Sequence, residues 1–70
     1  MTRHPVSSTN LRSVGYDPGT LTLEVEFQDG GLYQYFAVPE SIYIGLMRAS
    51  SKGGYLHDYI KDQYQYRKVR

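Results

Sequence analysis

Alternating apolar and polar residues from Leu21 to Phe27 form the clearest pattern in the chain. Every second residue is leucine, valine or phenylalanine, and threonine and glutamate lie between them. Because successive side chains of a strand point to opposite faces, this period of two predicts a β-strand with one apolar and one solvated face. Residues 11–16 are predicted as a shorter strand before it. The Asp-Pro-Gly-Thr stretch at 17–20 is predicted as the turn between them, since proline fixes φ and glycine accepts positive φ.

A second hairpin is predicted where Asp-Gly-Gly at 29–31 joins this strand to the next one, at 32–38. Its register has two alternatives, because a slip of one residue moves every side chain to the other face. A two-residue loop leaves Tyr33 and Tyr35 on the glutamate-bearing face. A three-residue loop, with the second glycine as a left-handed bulge residue, puts both tyrosines on the apolar face and Gln34 in solvent. We favour the bulged loop because it keeps Gln34 out of the core.

Helical spacing replaces the alternation after Pro39, which can serve as the first residue of a helix. Apolar residues then recur at intervals of three and four between 42 and 49, which predicts a helix with one apolar stripe. The Ser-Ser-Lys-Gly-Gly stretch at 50–54 ends this helix, and its serines can cap a second one. That second helix is predicted over 54–61, where tyrosine, leucine and isoleucine form a broad apolar face.

The predicted fold class is α+β: a three-stranded antiparallel β-meander followed by two short helices. The tail at 64–70 is predicted to be extended, and it either adds a short C-terminal strand to the sheet or lies free. Residues 1–8 are predicted as a flexible arm and residues 9–70 as a single domain. The length of 70 residues leaves room for only one domain.

Composition limits how such a small domain can be stabilised. A chain of this length buries only about 60% of the surface that its unfolded form exposes. It contains no cysteine, which excludes disulfides. Its two histidines alone cannot complete a structural zinc site. Its 8 tyrosines and 2 phenylalanines, without tryptophan, have two interpretations. They pack as amphipathic rings at the edge of the core, or they form an aromatic binding face.

Candidate catalytic and metal-binding groups are weak. His57 has no cysteine or second histidine at ligand spacing, and no motif pairs it with Ser50 or Ser51 as a nucleophile. We therefore expect no metal, no cofactor and no enzymatic activity. No apolar run is long enough to span a bilayer, and residues 1–5 lack the apolar stretch of a signal peptide. A cytoplasmic location and no membrane partner are expected.

Charge is distributed unevenly along the chain. Residues 17–40 hold five acidic residues and no Lys or Arg, whereas residues 52–70 hold five basic and two acidic residues, a net charge of +3. Basic residues and tyrosines could meet phosphates and stack on bases, although a charge run at a terminus is also typical of a solvated end. The loop at 50–54 is either a flexible connection or a phosphate contact. The candidate RNA-binding residues are Lys52, Gly53, Lys61, Tyr64, Tyr66, Arg67, Lys68 and Arg70.

A series of short motifs resembles one known family. The motifs are Val14-Gly15-Tyr16-Asp17, the alternation of Leu21–Phe27, Tyr33-x-Tyr35, Val38-Pro39, Ser51-Lys52-Gly53, Tyr55-Leu56, Ile60 and Tyr64-x-Tyr66. In this order they resemble the KTSC domain, which is named for the C-terminus of some lysyl-tRNA synthetases and also occurs as a small bacterial or phage protein. The resemblance covers nearly the whole chain from about Ser8 onward.

No function is established for the family, and the residues themselves favour a non-catalytic module. Attachment to a synthetase suggests RNA, including tRNA, as a partner. The hallmark residues of the family, Tyr33 and Tyr35, are interpreted as mainly structural, so an RNA contact is expected at the basic C-terminal end. The alternative is a protein-interaction or structural module, in which a tyrosine-rich surface and Ile44 contact a partner protein or a second copy.

Overall fold

A single antiparallel sheet of five strands organises the computed structural model, which describes all residues 1–70. The strands lie side by side in chain order: β1 (His4–Pro5), β2 (Leu11–Asp17), β3 (Thr22–Phe27), β4 (Leu32–Tyr35) and β5 (Tyr66–Lys68). The α+β class is confirmed, but the count of three strands is wrong. The tail adds β5, which pairs with β4. Strand β1 lies within residues 1–8, the predicted arm, and pairs with β2 so that His4 is opposite Val14.

Two helices cover one face of the sheet. Helix α1 is Glu40–Arg48, and helix α2 is Lys52–Tyr55, which continues into a π-helical turn at Leu56–Ile60. Pro39 is the capping residue before α1 rather than its first residue, since its ψ of 151° is still extended. No helix is long and apolar enough to cross a membrane.

The core lies between this helical layer and the apolar face of the sheet. Its buried residues come from three strands, the segment after β4 and both helical segments: Leu11, Val14, Leu23, Val25, Tyr35, Val38, Leu46, Leu56 and Ile60. The alternation in β3 places Leu23 and Val25 in this core, as the sequence predicts. Their burial is the main stabilising contribution, at about 1.5–3 kcal/mol for each large aliphatic side chain.

The hairpin of β3 and β4 has the bulged register. Val25 lies opposite Tyr33 and Leu23 lies opposite Tyr35, so the tyrosines are on the apolar face, as favoured from the sequence. The glycine with a left-handed backbone is Gly30, at φ 94°, and not the second glycine of the loop. A β-carbon would strain that conformation, which explains a glycine here.

The opposite face of the sheet is not solvated. Glu24 and Glu26 are 7% and 9% exposed, because the two ends of the chain fold over them. The Arg3 guanidinium lies 2.6 Å from Glu24 Oε2, and the Arg70 guanidinium lies 2.9 Å from Glu26 Oε2. Gly15 lets the N-terminal segment pass, since a β-carbon there would lie 2.6 Å from the Thr2 carbonyl oxygen. We call this surface the glutamate face.

Candidate functional site

An open groove of about 640 Å³ runs along the apolar side of the sheet at its β4–β5 edge. One wall is the sheet, with Tyr33, Tyr66 and Lys68. The other wall is formed by α2 and the turn that follows it, and the ends are closed by the segment before β2 and the β3–β4 loop. The residues on these surfaces include Thr9, Asn10, Gln28, Asp29, Gly53, Leu56, His57, Lys61 and Asp62. We call this the tyrosine groove.

Aromatic rings form a continuous row along the sheet wall. Phe27 meets Tyr33 edge-on at 5.4 Å between centroids, and Tyr33 lies 5.8 Å from Tyr66. Tyr66 also lies 5.9 Å from Tyr35. Tyr35 is 5% exposed, whereas Tyr66 is 60% exposed. Tyr66 thus packs against both of the other tyrosines and still presents an accessible ring, and this suits stacking against a flat partner.

Strand pairing explains why these rings meet. In β5, Tyr66 lies opposite Tyr35 and Lys68 lies opposite Tyr33, so Tyr66 and Lys68 share the apolar side of the sheet with these two tyrosines. Lys68 Nζ lies 5.9 Å from the centroid of the Tyr33 ring, a distance at which a cation is attracted to an aromatic face. The side chain of Lys68 is thus held at the rim of the groove.

Both signs of charge line the groove. Lys61 and Lys68 supply two positive charges, and Asp29 and Asp62 supply two negative charges. Burial, followed by the neighbouring Tyr33, Tyr66 and Asp62, raises the pKa of the Tyr35 hydroxyl to about 12. Tyr35 therefore remains a neutral phenol well above physiological pH.

The structure brings four of the eight predicted RNA-binding residues together. Gly53, Lys61, Tyr66 and Lys68 all line the tyrosine groove, together with Tyr33 and Tyr35.

The other four predicted residues lie elsewhere. Lys52 Nζ donates to the Ala49 carbonyl oxygen at 3.1 Å, and Tyr64 is half-buried against the core. Arg67 lies opposite Gln34 in the sheet, which puts it on the glutamate face. Arg70 also reaches that face and pairs with Glu26. These four residues therefore do not add to the charge of the groove.

Asn10, Phe27 and His57 are among the groove residues that the sequence reasoning missed. Phe27 could have been found, because the favoured register places it at the end of the strand that pairs with the tyrosines. Asn10 carried no motif. The side-chain nitrogen of Asn10, Nδ2, packs closely against Gly53. A β-carbon on residue 53 would lie 2.5 Å from that nitrogen. No group of three His, Asp or Glu side chains lies close enough to share a metal ion.

Known proteins resemble this chain in sequence and in structure. The KTSC domain family model matches residues 7–64. A protein of uncharacterised function from Stutzerimonas stutzeri is 43% identical over 70 residues, which is 99% of both chains. A lysine–tRNA ligase from a Nostoc species is 41% identical over 59 residues, which is 84% of this chain but only 10% of the ligase. The crystal structure of a KTSC domain protein from Yersinia pestis, 42% identical, superposes with a TM-score of 0.95 over 99% of this chain and 97% of that one.

Proposed function

This chain belongs to the KTSC domain family, and we propose that it is a small non-catalytic module that binds RNA at its basic C-terminal end. The tyrosine groove supports this proposal, because it joins an exposed ring to two lysines on one surface. Stacking platforms and nearby cations are the two components that proteins use to hold RNA. The binding residues in this proposal are Tyr66, Lys68 and Lys61.

The related ligases make tRNA a reasonable RNA to test. In the Nostoc lysine–tRNA ligase the matching segment is about 10% of the protein, so the ligase activity itself is not transferred to this chain. A small domain carried by an enzyme that acts on tRNA is in a position to contribute contacts to that RNA. Fold likeness alone does not assign such a role, so the proposal depends on the groove.

A non-catalytic role agrees with the placement of the few reactive groups. Ser51 Oγ accepts a hydrogen bond from the Gly54 N–H at 3.2 Å and so caps α2. His57 is exposed, and its Nδ1 lies 3.2 Å from the carboxylate of the adjacent Asp58. A serine hydrolase would instead need the serine and the histidine in mutual hydrogen-bond reach.

An amide chemical-shift titration with tRNA and with a short single-stranded RNA, at low and moderate salt, tests the proposal. We expect shifts around Lys61 and across β5, and weaker shifts at higher salt, because phosphate contacts release counterions. Matched variants on one strand sharpen the test. Lys68→Gln removes a cation from the groove, whereas Arg67→Gln removes its neighbour from the glutamate face.

RNA binding is supported if Lys68→Gln weakens it and Arg67→Gln changes it little. The proposal is wrong if no amide between residues 51 and 70 shifts at low salt.

The second candidate function is protein interaction, and two exposed residues of the helical layer favour it. Tyr59 is 55% exposed and Ile44 is 40% exposed. Size-exclusion chromatography with light scattering tests self-association. A concentration-dependent dimer that is lost in Tyr59→Ala or Ile44→Ala would favour this alternative, whereas a monomer that binds RNA would favour the first proposal.

A further inference from the structure

We infer that the tyrosine groove accepts unpaired nucleotides, so that the RNA class bound is single-stranded and not duplex. This inference rests on the proposed RNA-binding function and adds the conformation of the RNA to it. Three observations support it: the exposed ring of Tyr66, the small number of lysines in the groove, and the position of Asn10.

The first observation is that Tyr66 offers a ring to a flat partner. Tyr66 is 60% exposed, and its ring packs at tilted angles against Tyr33 and Tyr35, with centroids 5.8 and 5.9 Å away. An unpaired base can bring a free face to such a ring, whereas the bases inside a duplex are covered above and below by their neighbours. Recognition of double-stranded RNA proceeds instead by shape and by contacts to phosphates and 2′-hydroxyls.

The second observation is that the groove has too little positive charge to hold a duplex. Lys61 and Lys68 are its two lysines, and Asp29 and Asp62 offset them. The remaining basic residues of the tail are engaged or face away, since Arg70 pairs with Glu26 and Arg67 lies on the glutamate face. Stacking must therefore supply much of the affinity.

The number of lysines also predicts how salt affects binding. Two phosphate contacts to a single strand give a slope of about −1.4 in log K against log salt concentration. If all five basic residues between positions 52 and 70 contacted phosphates, the slope would be about −3.5. The two values are far enough apart to be distinguished by measurement.

The third observation is the side chain of Asn10 in the groove, over Gly53. A carboxamide has two donors and an acceptor, which match the edge of an unpaired base. In a duplex that edge would already be paired on its Watson–Crick side. Tyr66 and Asn10 thus supply two different contacts that both suit an unpaired nucleotide, one to the face of the base and one to its edge.

Fluorescence anisotropy of a labelled RNA of about ten nucleotides, alone and annealed to its complement, tests the inference. We expect the single strand to bind at least about tenfold more tightly than the duplex, with the shallow salt slope between about 50 and 200 mM. Tyr66→Ala should weaken single-strand binding about tenfold, whereas Tyr66→Phe should keep it, because the ring remains.

Tyr59→Ala is the matched control, since Tyr59 is equally exposed but does not line the groove. Circular dichroism confirms that each variant is folded. Equal or tighter binding of the duplex would overturn the inference while leaving the proposed function intact, and so would a Tyr66→Ala variant that binds normally. If neither RNA binds, the proposed function itself is wrong.

Discussion

The two faces of the sheet are both covered, but by different chemistry. One face packs Leu23 and Val25 against two helices, and both residues are fully buried. The other face buries Glu24 and Glu26 beneath arginines from the two ends of the chain. Alternation along a strand therefore tells which residues share a face, but it does not tell whether the polar face meets water.

The largest effect is expected on the apolar face. Leu23→Ala should lower the free energy of unfolding by about 3 kcal/mol, because it leaves a cavity in a closed core. That loss is a large fraction of the total stability of a chain of this length, about 4–10 kcal/mol. Urea denaturation measures the loss. Leu21→Ala is the control, since Leu21 is 42% exposed, and it should change the stability by about 0.5 kcal/mol or less.

A smaller loss is expected on the glutamate face. Glu24→Gln keeps the shape of the side chain but removes the charge that Arg3 contacts at 2.6 Å and that Gln34 Nε2 contacts at 2.8 Å. We expect a loss of about 1.5 kcal/mol in the free energy of unfolding, the usual value for a hydrogen bond to a charged group. Asp58→Asn, on an exposed helical position, should have little effect. Equal losses in both variants would mean that the burial of Glu24 contributes nothing.

The N-terminal segment that covers the glutamate face can be displaced without substituting either glutamate. A β-carbon in Gly15→Ala would lie 2.6 Å from the Thr2 carbonyl oxygen, so the arm must move and carry Arg3 away from Glu24. We expect a loss of about 1 kcal/mol that does not add to that of Glu24→Gln, because the two variants break one contact. A double-mutant cycle in urea measures the coupling. Full additivity would show that the arm does not act through Arg3.

Changes in pH act on the two faces separately, and no side chain has to be removed to see them. Burial raises the pKa of Glu24, but hydrogen bonds from Gln34 and Arg3 outweigh it, so the pKa is below its ordinary value. The Ser13 hydrogen bond lowers the pKa of Glu26, and nearby arginines lower it further. The glutamate face thus contributes stability that is present above about pH 4.3 and is lost as the pH falls through the lower folded-state values.

The contribution of the apolar face to stability changes at high pH. Because burial raises the pKa of Tyr35 to about 12, its neutral phenol contributes stability below about pH 10, and this stability is lost as the pH rises toward 12. Urea unfolding across pH measures both limbs. Glu24→Gln should flatten only the acid limb and Tyr35→Phe only the alkaline limb. An acid limb unchanged by Glu24→Gln would contradict the assignment.

Much of the fold could be predicted from local pattern. The alternation of Leu21–Phe27 predicted β3, although the strand begins at Thr22 and Leu21 is exposed. The preference for keeping Gln34 out of the core selected the correct register. β1 could not be predicted, because two residues carry no periodic signal and their pairing depends on β2. The burial of Glu24 was missed for a similar reason, since it depends on arginines at positions 3 and 70, far away in the sequence.

The candidate site was predicted only in part. Basic residues in the tail were visible as a charge run, but alternation in β5 sends Lys68 to one face and Arg67 to the other. The sequence left open whether the tail is a strand or a free end. It therefore could not predict that Lys68 and Arg67 lie on opposite faces. Asn10 and His57 come to the groove through packing between segments distant in sequence, for which a single chain gives no signal.

The strand order also has a consequence for how the protein folds. Each of the first three strand pairs joins neighbours in sequence, but β4 and β5 are separated by residues 36–65, which contain both helices. Closing that long loop costs more entropy than closing a hairpin, so β5 is expected to dock late in folding and to detach first in local unfolding. Hydrogen exchange should then be faster for the Val69 amide, which bonds to the Leu32 carbonyl oxygen, than for amides between β2 and β3. The strand that carries Tyr66 would be the least persistent part of the sheet.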